Sequence, residues 1–234
     1  MIKNISRALM LLLVCNFVNA QIDNDFYESR YNVSLVYSRI NADNFSKSEK
    51  LHFISVNLFD FTLGGSEKFK SYFNGNMRVI GDIWWMLGKE IGGTTNYLDG
   101  GYTSSVFELK WGLNIVSKDK FLITPGLASD GYWYVFNGHR AFTWSFGPLL
   151  KVDYLLTDNL LIRNLSGFDF PFARTNGSLG DKSSYFYNRT ELITKVGFFI
   201  GFDFMHMKFI AENEAIPESK LNRFDFKLGF MIRM

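Results

Sequence analysis

Cysteine is nearly absent from this 234-residue chain: Cys15 is the only one, and it lies in a segment expected to be removed on export. The remainder then holds no disulfide, no thiolate nucleophile and no zinc site built on sulfur. Net charge is missing too. Once Lys3 and Arg7 leave with the N-terminal segment, 23 basic residues stand against 23 acidic ones. That balance offers no basic surface to displace counterions from phosphates, so no nucleic-acid partner is expected. After Ala20 no apolar stretch approaches the ~20 residues that a membrane-spanning helix needs. Such a chain crosses a membrane only as a closed barrel, because in lipid every backbone polar group must find an internal partner. The three histidines, His52, His139 and His206, stand in no metal-binding spacing, and neither a metal nor a cofactor is expected.

What is present begins with a secretory pattern. Lys3 and Arg7 give residues 1–20 a basic start, an apolar run follows over 8–14, and Val18-Asn19-Ala20 is a small-residue end suited to cleavage before Gln21. Lipidation at Cys15 is the weaker alternative, since Leu13 and Val14 are not the small residues that usually precede a lipidated cysteine. Residues 21–234 then form the mature domain, with no boundary inside it. Aromatic residues make up 18% of the chain, a high share for a soluble globular protein.

The dominant signal is alternation. Phe73, Gly75, Met77, Val79, Gly81, Ile83, Trp85 and Leu87 fall on one face, with Asn74, Asn76, Arg78 and Asp82 on the other. A period of two over that length means strand, because a helix would scatter the charges among the apolar positions. The pattern recurs around Glu108 and Lys110, around Lys151 and Asp153, around Glu191, Lys195 and Asp203, and around Arg223, Asp225 and Lys227. The fold class expected is all-β: a closed, antiparallel, up-and-down transmembrane barrel of about ten strands, with eight or twelve as alternatives. The segments are 31–40, 51–63, 71–88, 103–117, 120–129, 141–156, 159–172, 187–202, 206–212 and 221–233, the second and fifth alternating imperfectly. Residues 117–120 and 157–159 read as tight turns; 89–102, 129–140, 173–186 and 213–220 read as longer loops on the opposite side.

Alternation alone does not say which face is outside, since a soluble barrel would bury its apolar face. The polar face carries the acids Asp82, Glu108, Asp153, Asp169, Glu191, Asp203 and Asp225, and the bases Arg78, Lys110, Lys151, Arg163, Lys195, Arg223 and Lys227. Gly112, Gly147, Gly197, Gly201 and Gly229 are interspersed among them, as a narrow lumen full of long paired side chains requires. The other face is too bulky for a barrel interior, but suits lipid. Trp84, Trp85, Tyr97, Tyr102, 132–134, Trp144, Tyr185 and Tyr187 gather near the outer strand ends, as in an interfacial aromatic girdle.

With these features the mature chain resembles the small outer-membrane β-barrel proteins of Gram-negative bacteria, as a broad class; its Asn, Lys and Phe usage is Bacteroidetes-like. The end of the chain, with Lys227, Gly229, Ile232 and Met234, is similar to the C-terminal signal of that class, though Ile232 and Met234 stand where aromatics are usual. The resemblance implies location in the outer membrane, contact with its lipids, handling by the barrel-assembly machinery and association with other outer-membrane subunits.

For activity, equal numbers of opposite charges favour mutual pairing over a selective pore, since an unpaired charge in a narrow interior pays a heavy desolvation cost. The expected function is therefore a non-enzymatic structural or accessory component of an envelope assembly. A lipid-modifying hydrolase at the outer rim is one alternative: His139, in an expected loop with Asn137, Arg140 and Ser145 nearby in sequence, is its sole and weak catalytic candidate. A small-solute channel is the other.

Overall fold

A computed structural model describes residues 30–45, 47–64, 71–80, 102–118, 120–136, 139–174, 182–210 and 219–233. The strands are β1 (Arg30–Phe45), β2 (Lys47–Gly64), β3 (Ser71–Ile80), β4 (Tyr102–Leu113), β5 (Val116–Lys118), β6 (Phe121–Phe136), β7 (His139–Thr157), β8 (Leu160–Arg174), β9 (Lys182–Thr194), β10 (Phe198–Ile210) and β11 (Ser219–Arg233). Neighbours in sequence pair antiparallel all round. β1 pairs with β11 from Arg30↔Arg233 to Asp43↔Lys220. β4 and β5 both pair with β6, so β5 continues β4 past a break at Asn114 and Ile115, and the ring closes with ten staves. Among the described residues every stave has a neighbour on both sides, β2 meeting β3 over Phe59–Gly64.

One face of every strand points into the ring. On β11, Leu221, Arg223, Asp225 and Lys227 are buried while Phe224, Phe226, Leu228 and Phe230 are exposed. The same split holds on β1, where Ser34, Val36 and Ser38 are buried between exposed Leu35 and Tyr37. Charges inside and large apolar groups outside are the arrangement of a barrel whose solvent is lipid.

The second strand alternates imperfectly because of a bulge. The β1–β2 register slips between Asn32 and Ser34, so Leu58 and Phe59 both face outward and the inward set changes from Ser55 and Asn57 to Asp60 and Thr62. An extra residue in one strand shifts its phase in this way.

Several sequence boundaries are corrected. The segment 187–202 is not one strand, and 206–212 is not a strand of its own: β9 ends at Thr194, residues 195–197 turn, and β10 runs from Phe198 to Ile210. Partners across this hairpin share parity, Ile193 with Phe199 and Leu192 with Ile200, so the alternation passes through the turn unbroken. Its marker is Gly197, with φ of 98°, a region that costs an L side chain about 1–2 kcal/mol. Gly197 N–H donates to Thr194 O at 2.9 Å, and the Gly197 carbonyl accepts from Met231 N–H at 2.7 Å. Gly197→Ala should therefore lower the unfolding free energy in detergent by about 1–3 kcal/mol, read by urea titration; an unchanged midpoint would contradict the turn.

The expected loop 129–140 is mostly strand, since β6 continues to Phe136 and β7 starts at His139, paired with Phe136. Strand also replaces much of the loop expected over 173–186 and the gap between the first two expected segments, where β1 reaches Phe45 and β2 starts at Lys47. The last expected loop, 213–220, gives way to β11 from Ser219. These strands overrun the 9–11 residues that span a bilayer. The described part of β3 runs to Ile80; residues 81–88 of the expected third strand, with Asp82, Trp84 and Trp85, lie outside the described residues, as do Tyr97 and most of the 89–102 linker. So do residues 1–20 and Met234.

Candidate functional site

The interior is layered. Next to the short turns, Leu122, Leu155, Leu161, Ile193, Phe199 and Met231 pack together as an apolar floor. At the far end a second cluster includes Ile40, Tyr132, Leu149, Leu165, Tyr185, Tyr187, Met205, Met207 and Leu221. Charged residues occupy the lumen between and beside these clusters.

Among the described residues, eight acids and seven bases are buried there: Asp60, Glu108, Asp130, Asp153, Asp169, Glu191, Asp203 and Asp225 against Arg30, Lys110, Lys151, Arg163, Arg189, Arg223 and Lys227. Their contacts include two groups and a pair along one strand. In the first, Lys227 Nζ meets Asp203 at 2.5 Å, Asp203 meets Arg189 Nε at 3.2 Å, Arg189 Nη2 meets Glu108 at 3.0 Å and Glu108 meets Lys110 Nζ at 2.9 Å. In the second, Asp153 holds Lys151 at 2.6 Å and Arg163 at 3.0 Å. Arg223 and Asp225 pair along β11 at 3.2 Å. Gly201 lies among these side chains, a Cβ there falling 3.4 Å from both Glu191 Cγ and Lys227 Cβ.

The Arg189–Glu108 pair decides what the lumen can do. β9 and β4 are separated by three strands one way round the ring and five the other, so this ion pair crosses the interior. Tyr132 and Met205 cross it again from β6 to β10, with the Tyr132 hydroxyl donating to Sδ at 2.6 Å. Lys110 Nζ stands 5.1 Å from the centre of the Tyr187 ring, and Lys151 Nζ 4.8 Å from that of Tyr72. Cations in the lumen are thus held over aromatic faces and against carboxylates.

Of the charges expected in the lumen, Glu108, Lys110, Lys151, Asp153, Arg163, Asp169, Glu191, Asp203, Arg223, Asp225 and Lys227 are buried there. Lys195 is not: it lies in the β9–β10 turn, half-buried at the rim. Asp82, and the side chain of Arg78, lie outside the described residues. Four lumen charges escaped the sequence reading. Asp60 is placed by the β2 bulge, Asp130 sits in the expected loop 129–140, Arg30 stands at the very start of β1, and Arg189 shares the parity of Glu191. Tyr132, Tyr185 and Tyr187 are also corrected. They point inward, 2%, 3% and 8% exposed, and belong to the upper lumen rather than to a girdle.

At the C-terminus, Lys227 is inward on Asp203, Gly229 is half-buried and Ile232 is exposed on the outer face. His139 is the first residue of β7, with its side chain outside the described set. Ser145, six residues along the same strand, lies about 20 Å away at ~3.3 Å per residue. It is buried, and its Oγ donates to the Asp130 carbonyl at 3.1 Å. A Ser–His couple at the rim is not formed by these two. Among the described residues no group of three or more His, Cys, Asp or Glu is placed to hold a metal.

No protein-family model and no curated protein sequence matches this chain. Solved structures with a similar chain path include Ail, the attachment invasion locus protein of Yersinia pestis, at 9% identity and a TM-score of 0.36, covering 88% of this chain and 99% of that one. Neisserial surface protein A gives 8% and 0.36, covering 87% and 97%. The P. putida toluene transporter TodX gives 6% and 0.38, covering 93% of each. At such values the fold rests on the strand ladder itself.

Proposed function

We propose that this protein is an integral outer-membrane β-barrel with an occluded lumen, serving the envelope as a non-enzymatic structural or accessory component. The observation that carries the reading is the Arg189–Glu108 pair across the interior, above an apolar floor. Water-filled channels need a continuous polar path, and side chains meeting across the ring interrupt it. The apolar exterior supplies the lipid contact, and residues 1–20 supply export by a cleaved signal. The short turns face the periplasm, as is general for such barrels. Lys227, Gly229, Ile232 and Met234 offer the contact for the barrel-assembly machinery, and other outer-membrane subunits are the partners sought.

Purified mature protein inserted into planar bilayers should give no steady conductance. Large, stable current steps would overturn the occluded reading in favour of a channel. Fractionation with heat-modifiable migration tests the location separately.

A further inference from the structure

Asp130 on β6 and Asp169 on β8 are both fully buried, and their carboxyl groups lie within hydrogen-bonding reach of each other. A glycine on the strand between them opens the way. Gly147 of β7 is in register with Ala128 on one side. On the other it falls opposite Asp169, between the pairs Phe146↔Phe170 and Leu149↔Gly167. Asp169 Oδ1 takes the space that a side chain at 147 would fill, 2.6 Å from the position of a Cβ there. Asp169 thus leans across β7 toward Asp130.

None of the four carboxyl oxygens has a hydrogen-bond donor. Lys110 Nζ stands 3.8 Å from Asp130 Oδ1 and is closer to Glu108, at 2.9 Å. The Tyr185 hydroxyl, on a residue 3% exposed, points at both carboxyl groups but is aligned to donate to neither. Ser145, across from Asp130, donates to the Asp130 backbone carbonyl instead. The charged and titratable groups that face the pair are Lys110 and Glu108 of β4, Tyr132 of β6, and Tyr185 and Tyr187 of β9, with Arg189 beyond Glu108. The side chain of Arg78 on β3 lies outside the described residues.

Two carboxylates in contact and out of water repel each other, and a single proton between them removes the repulsion, one carboxyl group then donating to the other. A metal ion asks for more: calcium takes about six to eight oxygens, and among the described residues no three acids, His or Cys stand together. Tyr132 and Tyr185 pack edge to face above the pair, ring centres 5.1 Å apart, and Ala128 and Leu149 belong to the same apolar cluster. Those surroundings keep water, the competing proton acceptor, scarce.

We propose that Asp130 and Asp169 hold one exchangeable proton between them, so that a carboxyl-to-carboxylate hydrogen bond ties β6 to β8 across β7 in the upper lumen. This site rests on the reading of the lumen as occluded.

Infrared spectra of the full mature protein in vesicles, at a pH of about 7.5 and so well above the range near 4 where free carboxyl groups ionise, read the proton directly. The wild type should show a carbonyl band of an un-ionised carboxyl group that Asp130→Asn and Asp169→Asn each remove. Asp153→Asn, altered at a carboxylate held by Lys151 and Arg163, should keep it. Urea unfolding gives a second reading, because Asn mimics the protonated carboxyl. Asp169→Asn should change the unfolding equilibrium constant by less than about tenfold, whereas Asp153→Asn strands two buried cations and should raise it by about a hundredfold or more. No such band in the wild type, a band that survives both substitutions, or an Asp169→Asn cost as large as that expected of Asp153→Asn would overturn the shared proton. So would a wild-type midpoint that shifts when choline replaces sodium, the sign of a bound metal ion. If Asp169→Asn does not insert, Asp130→Asn decides by the same criteria. A wet lumen is a distinct failure: Asp153→Asn then costs as little as Asp169→Asn, planar bilayers show conductance, and the site falls with the occluded reading.

Discussion

Arg189→Ala is expected to lower the unfolding free energy of the barrel by about 3–5 kcal/mol, the range for removing one partner of a buried charge pair. Arg189 is the link between Asp203 on its own side of the ring and Glu108 across it, at 3.2 and 3.0 Å. Without it Asp203 keeps Lys227, and Glu108 keeps Lys110 and the amide of Asn76 at 3.2 Å. Both carboxylates would still be less well compensated in a site where water is scarce. Urea unfolding in lipid vesicles, followed by tryptophan fluorescence, measures the loss. Arg189→Lys should recover part of it, because one ammonium satisfies one carboxylate but not both. A cost below about 1 kcal/mol, typical of a solvated ion pair, would mean that the lumen is wet at this level.

Leu228→Arg is expected to cost about 2–4 kcal/mol, as for a cation placed on the lipid face near the bilayer midplane. Leu228 is 39% exposed and lies between Leu35 and Ile200, which flank it in register. The same substitution on a water-facing surface would change stability by about 0.5 kcal/mol or less. The measurement therefore separates a barrel solvated by lipid from a soluble one. Vesicle refolding titrations give the value, with Lys220→Leu as the reference at the rim, where little change is expected.

Much of this architecture is legible in the residues. Where one face is polar and the other apolar, as along 223–230 or 107–113, strict alternation fixes strand, phase and inward set together. Legibility ends where the inside is apolar as well. The floor residues Leu155, Leu161, Ile193 and Phe199 sit beside outward Leu156, Ile162, Leu192 and Phe198, so the sequence shows apolar doublets rather than alternation. Those doublets, each close to a turn, were the available sign of the floor. The β9–β10 turn was hidden for a different reason: a hairpin whose partners share parity preserves the phase, and only Gly197 betrays it. Asp60 was lost to a bulge, which no period of two detects. Cross-lumen pairing is out of reach of sequence, because Arg189 and Glu108 meet through ring closure and not through any spacing along the chain. Tyr185 and Tyr187 show the limit of composition: clustering near a strand end suggested a girdle, whereas their parity with Arg189 and Glu191 already placed them inside.

The most direct test of an apolar-out, closed-in barrel uses the absence of cysteine after residue 20. Single cysteines at Ser34, Leu35, Val36, Tyr37 and Ser38 of β1, in protein inserted into vesicles, can each be probed with a lipid-phase quencher and with a water-soluble thiol reagent. Positions 35 and 37 should respond to the lipid-phase quencher alone, while 34, 36 and 38 should be silent to both. Reaction of 35 and 37 with the water-soluble reagent, or ready reaction of 34, 36 and 38, would contradict it.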